Sequence, residues 1–212
     1  MDVVVAGGHG KIALRLLRLL AERGDRARGL IRNPDHAAEL EAAGAEAVPC
    51  DLEAEGDVGR CVEGAGAVVF AAGAGPGSGP QRKRTVDLGG AVKLIEAARA
   101  NGIARYVMVS AMGAAHPERS SDAMRPYIEA KAEADRLLEA SGLDYTIVRP
   151  GRLTDEPGTG RIAMGAELDP GEVTRDDVAA TLAAVLRADA TIGKALDLVA
   201  GESPIEDAVR AL

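Results

Sequence analysis

Val3-Val4-Val5-Ala6-Gly7-Gly8-His9-Gly10-Lys11-Ile12-Ala13 is the stretch that decides the fold. Three consecutive β-branched residues suit a parallel strand buried on both faces. A glycine cluster ends the run, and a helical pattern starts behind it, with Ile12, Leu16, Leu19 and Leu20 on one face. Strand, glycine turn and helix, in that order, open a dinucleotide-binding βαβ unit. Two registers fit: G-x-G-x-x-A on Gly8, Gly10 and Ala13, and G-x-x-G-x-x-A on Gly7, Gly10 and Ala13. In both, a pyrophosphate approaches backbone N–H groups at a helix N-terminus, where the dipole favours negative charge and a Cβ would stand in the way. Gly7, Gly8, His9, Gly10, Lys11 and Ile12 are therefore the candidate cofactor contacts of the turn, and Ala13 lets the helix pack close to the strand. In a chain with 26 glycines, a plain strand-to-helix connection is the competing reading.

Composition narrows the possibilities. A length of 212 residues suits one α/β domain with a full core. One Phe, three Tyr and no Trp make that core aliphatic and leave no aromatic platform for stacking bases. A net charge of -8 with no basic stripe argues against a nucleic-acid partner. Cys50 and Cys61 lack C-x-x-C spacing and a nearby His pair, so neither a zinc site nor a redox motif is supported. No segment reads as a secretion signal or a membrane span. A cytoplasmic protein with a small-molecule substrate and no membrane partner is expected, as monomer or dimer.

Further along, residues 27–31 read as a second strand, 35–43 as a helix and 45–49 as a third strand. A short helix at 57–62 leads to a fourth strand at 67–71. This alternation argues a doubly wound parallel sheet. Residues 73–79, rich in Gly and Pro, form a loop at a strand's carboxyl end, where such sheets bind ligands. A long helix follows with Leu88, Ala91, Val92, Ile95 and Ala98 on one face. Residues 106–109 make a fifth strand ending at Ser110. A helix carrying Tyr127 and Lys131 comes next, then a sixth strand at 145–148. The periodicity fails over 153–171, which holds six Gly or Pro residues, so 151–171 is the expected substrate loop within a single 1–212 domain. Thr174 and Asp177 resemble a capping box before a helix at 178–186, and 196–199 is a late strand. Ser203-Pro204-Ile205-Glu206 reads as a helix start with Ser203 as its cap.

The second strand ends Leu30-Ile31-Arg32, without the carboxylate that binds ribose hydroxyls in NAD-specific sites. Arg32 suits a 2′-phosphate through charge-assisted bonds, which favours NADP(H) over NAD(H); a solvated arginine at a strand end is the plainer alternative. Asp51, after the third strand, suits either the adenine amino group or the cap of the following helix. Tyr127 and Lys131 form Y-x-x-x-K, which places both on one helical face. A neighbouring ammonium should lower the phenol's pKa from about 10, tuning it to exchange a proton with a carbonyl oxygen. Ser110 at the preceding strand end can polarise the same carbonyl. A Tyr packed on the sheet with a solvated Lys one turn away would give the same spacing. The run Arg82-Lys83-Arg84 suits a solvated face better than a substrate anion.

Taken together, Gly7, Gly8, Gly10 and Ala13, Arg32-Asn33-Pro34, Cys50-Asp51-Leu52, Ala71-Ala72-Gly73, Val109-Ser110-Ala111, Tyr127 with Lys131, and Thr146 through Gly151 resemble the short-chain dehydrogenase/reductases. Within them the chain is most similar to the small atypical, epimerase-like NAD(P)-binding members. The resemblance implies a Rossmann fold, a dinucleotide, and a Ser-Tyr-Lys set at Ser110, Tyr127 and Lys131. It also implies cofactor contacts at Leu52, Ala71, Ala72, Gly73, Lys131 and Pro150. The asparagine-containing run common after the fourth strand is replaced by alanines, and the third loop glycine by Ala13. An NADP(H)-dependent oxidoreductase or epimerase-like enzyme is the leading expectation. A dinucleotide-binding redox sensor and a flavin- or quinone-type reductase are the alternatives.

Overall fold

The computed structural model describes residues 1–54, 56–75 and 77–212. Its elements are β1 (Asp2–Ala6), α1 (Lys11–Glu22), β2 (Arg26–Ile31), α2 (Ala37–Ala42), β3 (Glu46–Pro49), α3 (Gly59–Val62), β4 (Ala67–Phe70), α4 (Pro80–Arg82), α5 (Ala91–Ala100), β5 (Arg105–Val109), α6 (Arg125–Glu139), β6 (Asp144–Pro150), β7 (Arg152–Thr154), β8 (Arg161–Gly165), β9 (Glu172–Thr174), α7 (Arg175–Val185), β10 (Lys194–Ala200), β11 (Ser203–Pro204) and α8 (Ile205–Arg210). The main sheet runs β11-β8-β10-β6-β5-β4-β1-β2-β3, and β7 pairs β9 in a small second sheet. From β3 to β10 the pairing is parallel; β8 then joins β10, and β11 joins β8, antiparallel. The order 3-2-1-4-5-6 within it is that of a Rossmann fold, with the reversal between β1 and β4.

The valine run shows why β1 is central. Val3 and Val5 enter one apolar layer with Leu16, Leu17 and Leu182, while Val4 and Ala6 enter the other with Phe70, Leu94 and Leu138. Side chains alternate faces along a strand, so a strand covered on both sides needs no polar position. No helix among the described residues is long and apolar enough to cross a membrane.

Several expectations change in detail. The expected 35–43 helix is a 3₁₀ turn, Pro34–His36, followed by α2, because Asn33 caps the turn by accepting from the Asp35 N–H at 3.1 Å. The 57–62 helix shrinks to α3. Pro76, in the middle of the 73–79 loop, lies outside the described residues. The long helix after that loop is a rod of α4, a π-helical stretch Lys83–Gly90, and α5.

The largest correction falls on 153–171, which is not wholly irregular: β8 lies inside it, and Ile162 is fully buried. Glycines and prolines mark the connections around β8, and its five residues are too few to announce a period. Asp177 organises the start of this stretch. Its carboxylate accepts from the N–H groups of Thr159 and Gly160 at 3.0 and 2.8 Å, while Thr174 Oγ1 accepts from the Asp177 N–H at 3.0 Å to cap α7. At the C-terminus, α8 begins only at Ile205, because Ser203 and Pro204 pair with β8 as β11 before the chain turns helical.

Candidate functional site

Gly7 leaves β1 at φ +77°, in the left-handed region. A Cβ there would lie 2.7 Å from Ala72 Cα and 3.0 Å from the Ala71 carbonyl oxygen, so this position admits no side chain. The Gly10 N–H donates to the Gly7 carbonyl at 2.7 Å, and Gly10 then stands at the N-cap of α1 with no side-chain cap. The first turn of α1 carries no acidic residue. The N–H groups of Lys11, Ile12 and Ala13 thus have no acceptor within the helix, and no carboxylate of that turn offsets the positive end of the dipole. Gly8 serves a different purpose. Its N–H donates to the Leu30 carbonyl at 2.8 Å, and a Cβ on it would lie 2.9 Å from Gly29 Cα. Gly8 fastens the turn to β2, and the turn follows the Gly7-Gly10-Ala13 register.

A cavity of about 370 Å³ opens beside this turn. It is lined by Gly7, His9 and Gly10, by Arg32 and His36 after β2, by Asp51, Leu52 and Glu53 after β3, by Ala71, Ala72 and Gly73 after β4, and by Arg82. His9 stacks on His36 with ring centroids 3.6 Å apart. Asp51 Oδ1 accepts from the N–H groups of Glu53 and Ala54 at 2.9 and 3.3 Å. Asp51 thus caps the turn after β3 and not the following helix. Lys11 lies outside the lining and pairs with Asp155 at 2.6 Å, which brings the 151–171 segment against the start of α1. Gly8, Ile12, Ser110, Tyr127, Lys131 and Pro150 are also absent from the lining. Pro150 is buried at the end of β6, where its carbonyl accepts from the Met112 N–H at 2.9 Å.

The expected proton-donor end is built from buried charge. Lys131 is 3% exposed. Its ammonium donates to the Val109 carbonyl at 3.1 Å and lies 3.3 Å from Asp87 Oδ1. Asp87 comes from the π-helical stretch and is likewise buried; its other oxygen accepts from the Ala74 N–H at 3.2 Å. Asp87 therefore joins the segment after β4 to α6. The Tyr127 ring has Lys131 Nζ 5.9 Å and Lys83 Nζ 5.7 Å from its centroid.

Contrary to expectation, the Tyr127 phenol is pushed above its ordinary pKa. Burial is the largest cause; Lys131 pulls it down, but Asp87 and Asp135 push the same way as burial. Spacing alone showed the ammonium and not the carboxylate that offsets it.

Ser110 also departs from its expected posture. It is 4% exposed, and its Oγ is buried without a hydrogen bond of ordinary geometry among the described residues. The hydroxyl nevertheless lies close enough to Asp135 to favour the charged carboxylate. Arg149 Nε donates to Asp135 Oδ2 at 2.9 Å. Burial still dominates, and the Asp135 carboxyl is pushed up against the opposing effects of Ser110, Arg149 and Lys131. Asp87 and Asp135 were missed in the sequence. For Asp135 a signal existed: Tyr127, Lys131 and Asp135 follow at i, i+4 and i+8, one continuous helical face.

The uncapped N-terminus of α1 behind the glycine turn, and the arginine-bearing cavity beside it, fit a dinucleotide. Comparison with known proteins agrees. Residues 7–189 match a family model described as NAD(P)H-binding. The chain is 44% identical over 214 residues to a Bacillus subtilis (strain 168) protein named as the uncharacterized sugar epimerase YhfK, covering all of both chains. It superposes with a TM-score of 0.96, at 39% identity and full coverage of both, on a Bacillus halodurans structure named as a candidate NAD-dependent epimerase/dehydratase. The oxidoreductase ylbE of Lactococcus lactis superposes at 0.88 with 29% identity, over 100% of this chain and 96% of that one. This chain belongs to the NAD(P)H-binding, oxidoreductase- and epimerase-like family of Rossmann proteins, on its atypical short-chain dehydrogenase/reductase side.

Proposed function

We propose that this protein is an NADP(H)-dependent reductase of a small carbonyl substrate, with Tyr127 as the proton donor. One observation carries the reading: the buried Lys131–Asp87 pair, which ties the residues after β4 to the helix that presents Tyr127. A buried ion pair is costly to assemble, and a merely structural lysine at this position could remain in solvent.

Gly7, His9, Gly10, Lys11 and Ile12 would hold the pyrophosphate, Arg32 a 2′-phosphate, and Asp51 with Leu52 the adenine. Ala71, Ala72, Gly73 and Pro150 would border the nicotinamide, and Lys131 its ribose. When bound, the dinucleotide supplies the hydride. Tyr127 holds the proton destined for the substrate oxygen. Burial pushes its pKa above the ordinary value, so the phenol carries that proton at neutral pH and gives it up only as the substrate oxygen gains charge. Asp87 and the Val109 carbonyl hold the Lys131 side chain beside the ring. Ser110 acts on the substrate oxygen only if its hydroxyl turns away from Asp135; otherwise it positions α6. The 151–171 segment, latched to α1 through Lys11 and Asp155, covers the substrate side.

Turnover of small aldehydes and ketones with NADPH tests this reading. Tyr127→Phe should lower kcat by about 10²–10⁴ while leaving NADPH affinity unchanged. Unchanged carbonyl reduction in that variant would remove Tyr127 from the chemistry.

A further inference from the structure

At one side of the cavity a glutamate occupies the cations. Glu53 Oε2 accepts from Arg32 Nη1 at 3.0 Å and from Arg82 Nη2 at 3.4 Å, and its Oε1 accepts from Thr85 Oγ1 at 2.8 Å. Donors from two segments far apart in sequence thus converge on one carboxylate. Arg32 follows β2, while Arg82 and Thr85 belong to the rod that begins after the 73–79 loop. Arg32, Glu53 and Arg82 line the same cavity as Gly7 and Gly10. A guanidinium fork receives a carboxylate and a phosphate in the same way. The attachment is also open to exchange: the side chains of Arg32 and Arg82 are 56% and 44% exposed, and pairs so exposed are held weakly.

We propose that Glu53 is a built-in placeholder for the 2′-phosphate of an adenine dinucleotide, and that Arg82 is the second cation of that phosphate site. The proposal rests on the NADP(H) reading above. A phosphate monoester brings nearly two negative charges and three acceptor oxygens, and so out-competes a single carboxylate for two arginines and a hydroxyl. A nucleotide without that phosphate has nothing to displace Glu53, and the clasp stays closed on itself. Glu53 and Arg82 would then set the preference between the two nicotinamide dinucleotides together with Arg32. The Arg82-Lys83-Arg84 run, which in sequence reads as a solvated face, has its first member turned to the cofactor end.

Calorimetric titration of the full chain with 2′,5′-ADP, 5′-AMP, NADPH and NADH tests this without any turnover. Wild-type protein should bind 2′,5′-ADP more tightly than 5′-AMP by roughly tenfold or more. Arg82→Ala should weaken 2′,5′-ADP and NADPH by about tenfold and leave 5′-AMP and NADH within about twofold. Glu53→Gln should tighten 2′,5′-ADP and NADPH by about threefold, with 5′-AMP unchanged. These substitutions lie at exposed or half-exposed positions, and thermal midpoints near the wild-type value would verify folding. The placeholder is overturned if the wild-type preference is present but Arg82→Ala leaves it intact, or if Glu53→Gln weakens NADPH and NADH alike. If wild-type protein does not distinguish 2′,5′-ADP from 5′-AMP, the NADP(H) reading itself falls, and the placeholder with it.

Discussion

Asp25 and Asp135 are both nearly inaccessible, at 7% and 2% exposure, yet their carboxyls are displaced in opposite directions. Burial works to raise both. At Asp25 it is outweighed by three cations: the Met1 amine at 2.6 Å, Arg23 Nε at 2.6 Å and Arg187 Nη2 at 2.7 Å, which hold the carboxyl well below the usual range. Among the described residues, Arg149 is the one charged group that donates directly to Asp135, and Lys131, the next cation, is engaged with Asp87. Burial prevails there, and the carboxyl rises. The Asp25 cluster has cations to spare and works as a fastener: Arg23 also donates to the Ala183 carbonyl at 2.7 Å, joining the end of α1 to α7. The Asp87–Asp135 cluster has one cation for each carboxylate among the described residues, Lys131 and Arg149, against three for Asp25 alone, and the phenol beside it is pushed up as well. Groups pushed up by desolvation beside a specific charge partner concentrate where proteins do chemistry, which is why the second cluster, and not the first, is the candidate site.

The comparison is most exposed to failure at Lys131. Lys131→Met leaves the buried Asp87 with no ion-pair partner among the described residues and should cost about 3–5 kcal/mol in denaturant unfolding. The double variant with Asp87→Asn should recover most of that loss. A single-variant loss below about 1 kcal/mol would mean that Asp87 is solvated after all.

Asp25→Asn comes next, with about 2 kcal/mol lost near neutral pH. The folded carboxyl of Asp25 lies below the unfolded value of about 3.9, so its contribution is fully present above that value and fades as pH falls toward the folded one. Wild type and variant should therefore converge in stability under strong acid. A gap that stayed constant down to about pH 2 would assign the loss to packing and not to charge.

The smallest effect is expected from Arg187→Ala, because Arg187 is half exposed and Asp25 keeps two other cations. About 0.5 kcal/mol or less should separate it from wild type in the same unfolding measurement. A loss as large as that of Lys131→Met would erase the distinction between a saturated and an undersaturated cluster.

The two ends of the site were not equally legible. At the glycine turn, Gly7 and Gly10 could be picked out because the requirement they meet is steric: Gly7 has a positive φ, and neither position has room for a Cβ. Even there, only the structure separated Gly8, whose N–H is held by β2, from its neighbours. At the other end, Y-x-x-x-K identified Tyr127 and Lys131 but led to the wrong sign for the phenol. Burial decides that sign, and Asp87, which adds to it, arrives from a helix distant in sequence that nothing near Tyr127 announces. Ser110 was placed correctly at a strand end, yet the direction of its hydroxyl depends on Asp135 and Arg149. The β8 strand escaped notice because five residues among glycines and prolines carry too little periodicity.

By itself, the sequence determined the doubly wound sheet, the central strand and the glycine turn, and its motifs in order carried the resemblance to the family. The first three follow from short-range rules of sterics and side-chain alternation that residues close along the chain satisfy together. Only the tertiary structure decided which buried groups have enough counter-charge, which arginines share Glu53, and in which direction the Tyr127 phenol is displaced. Desolvation and Coulombic balance depend on whatever the fold packs nearby, and the sequence does not order those neighbours by distance.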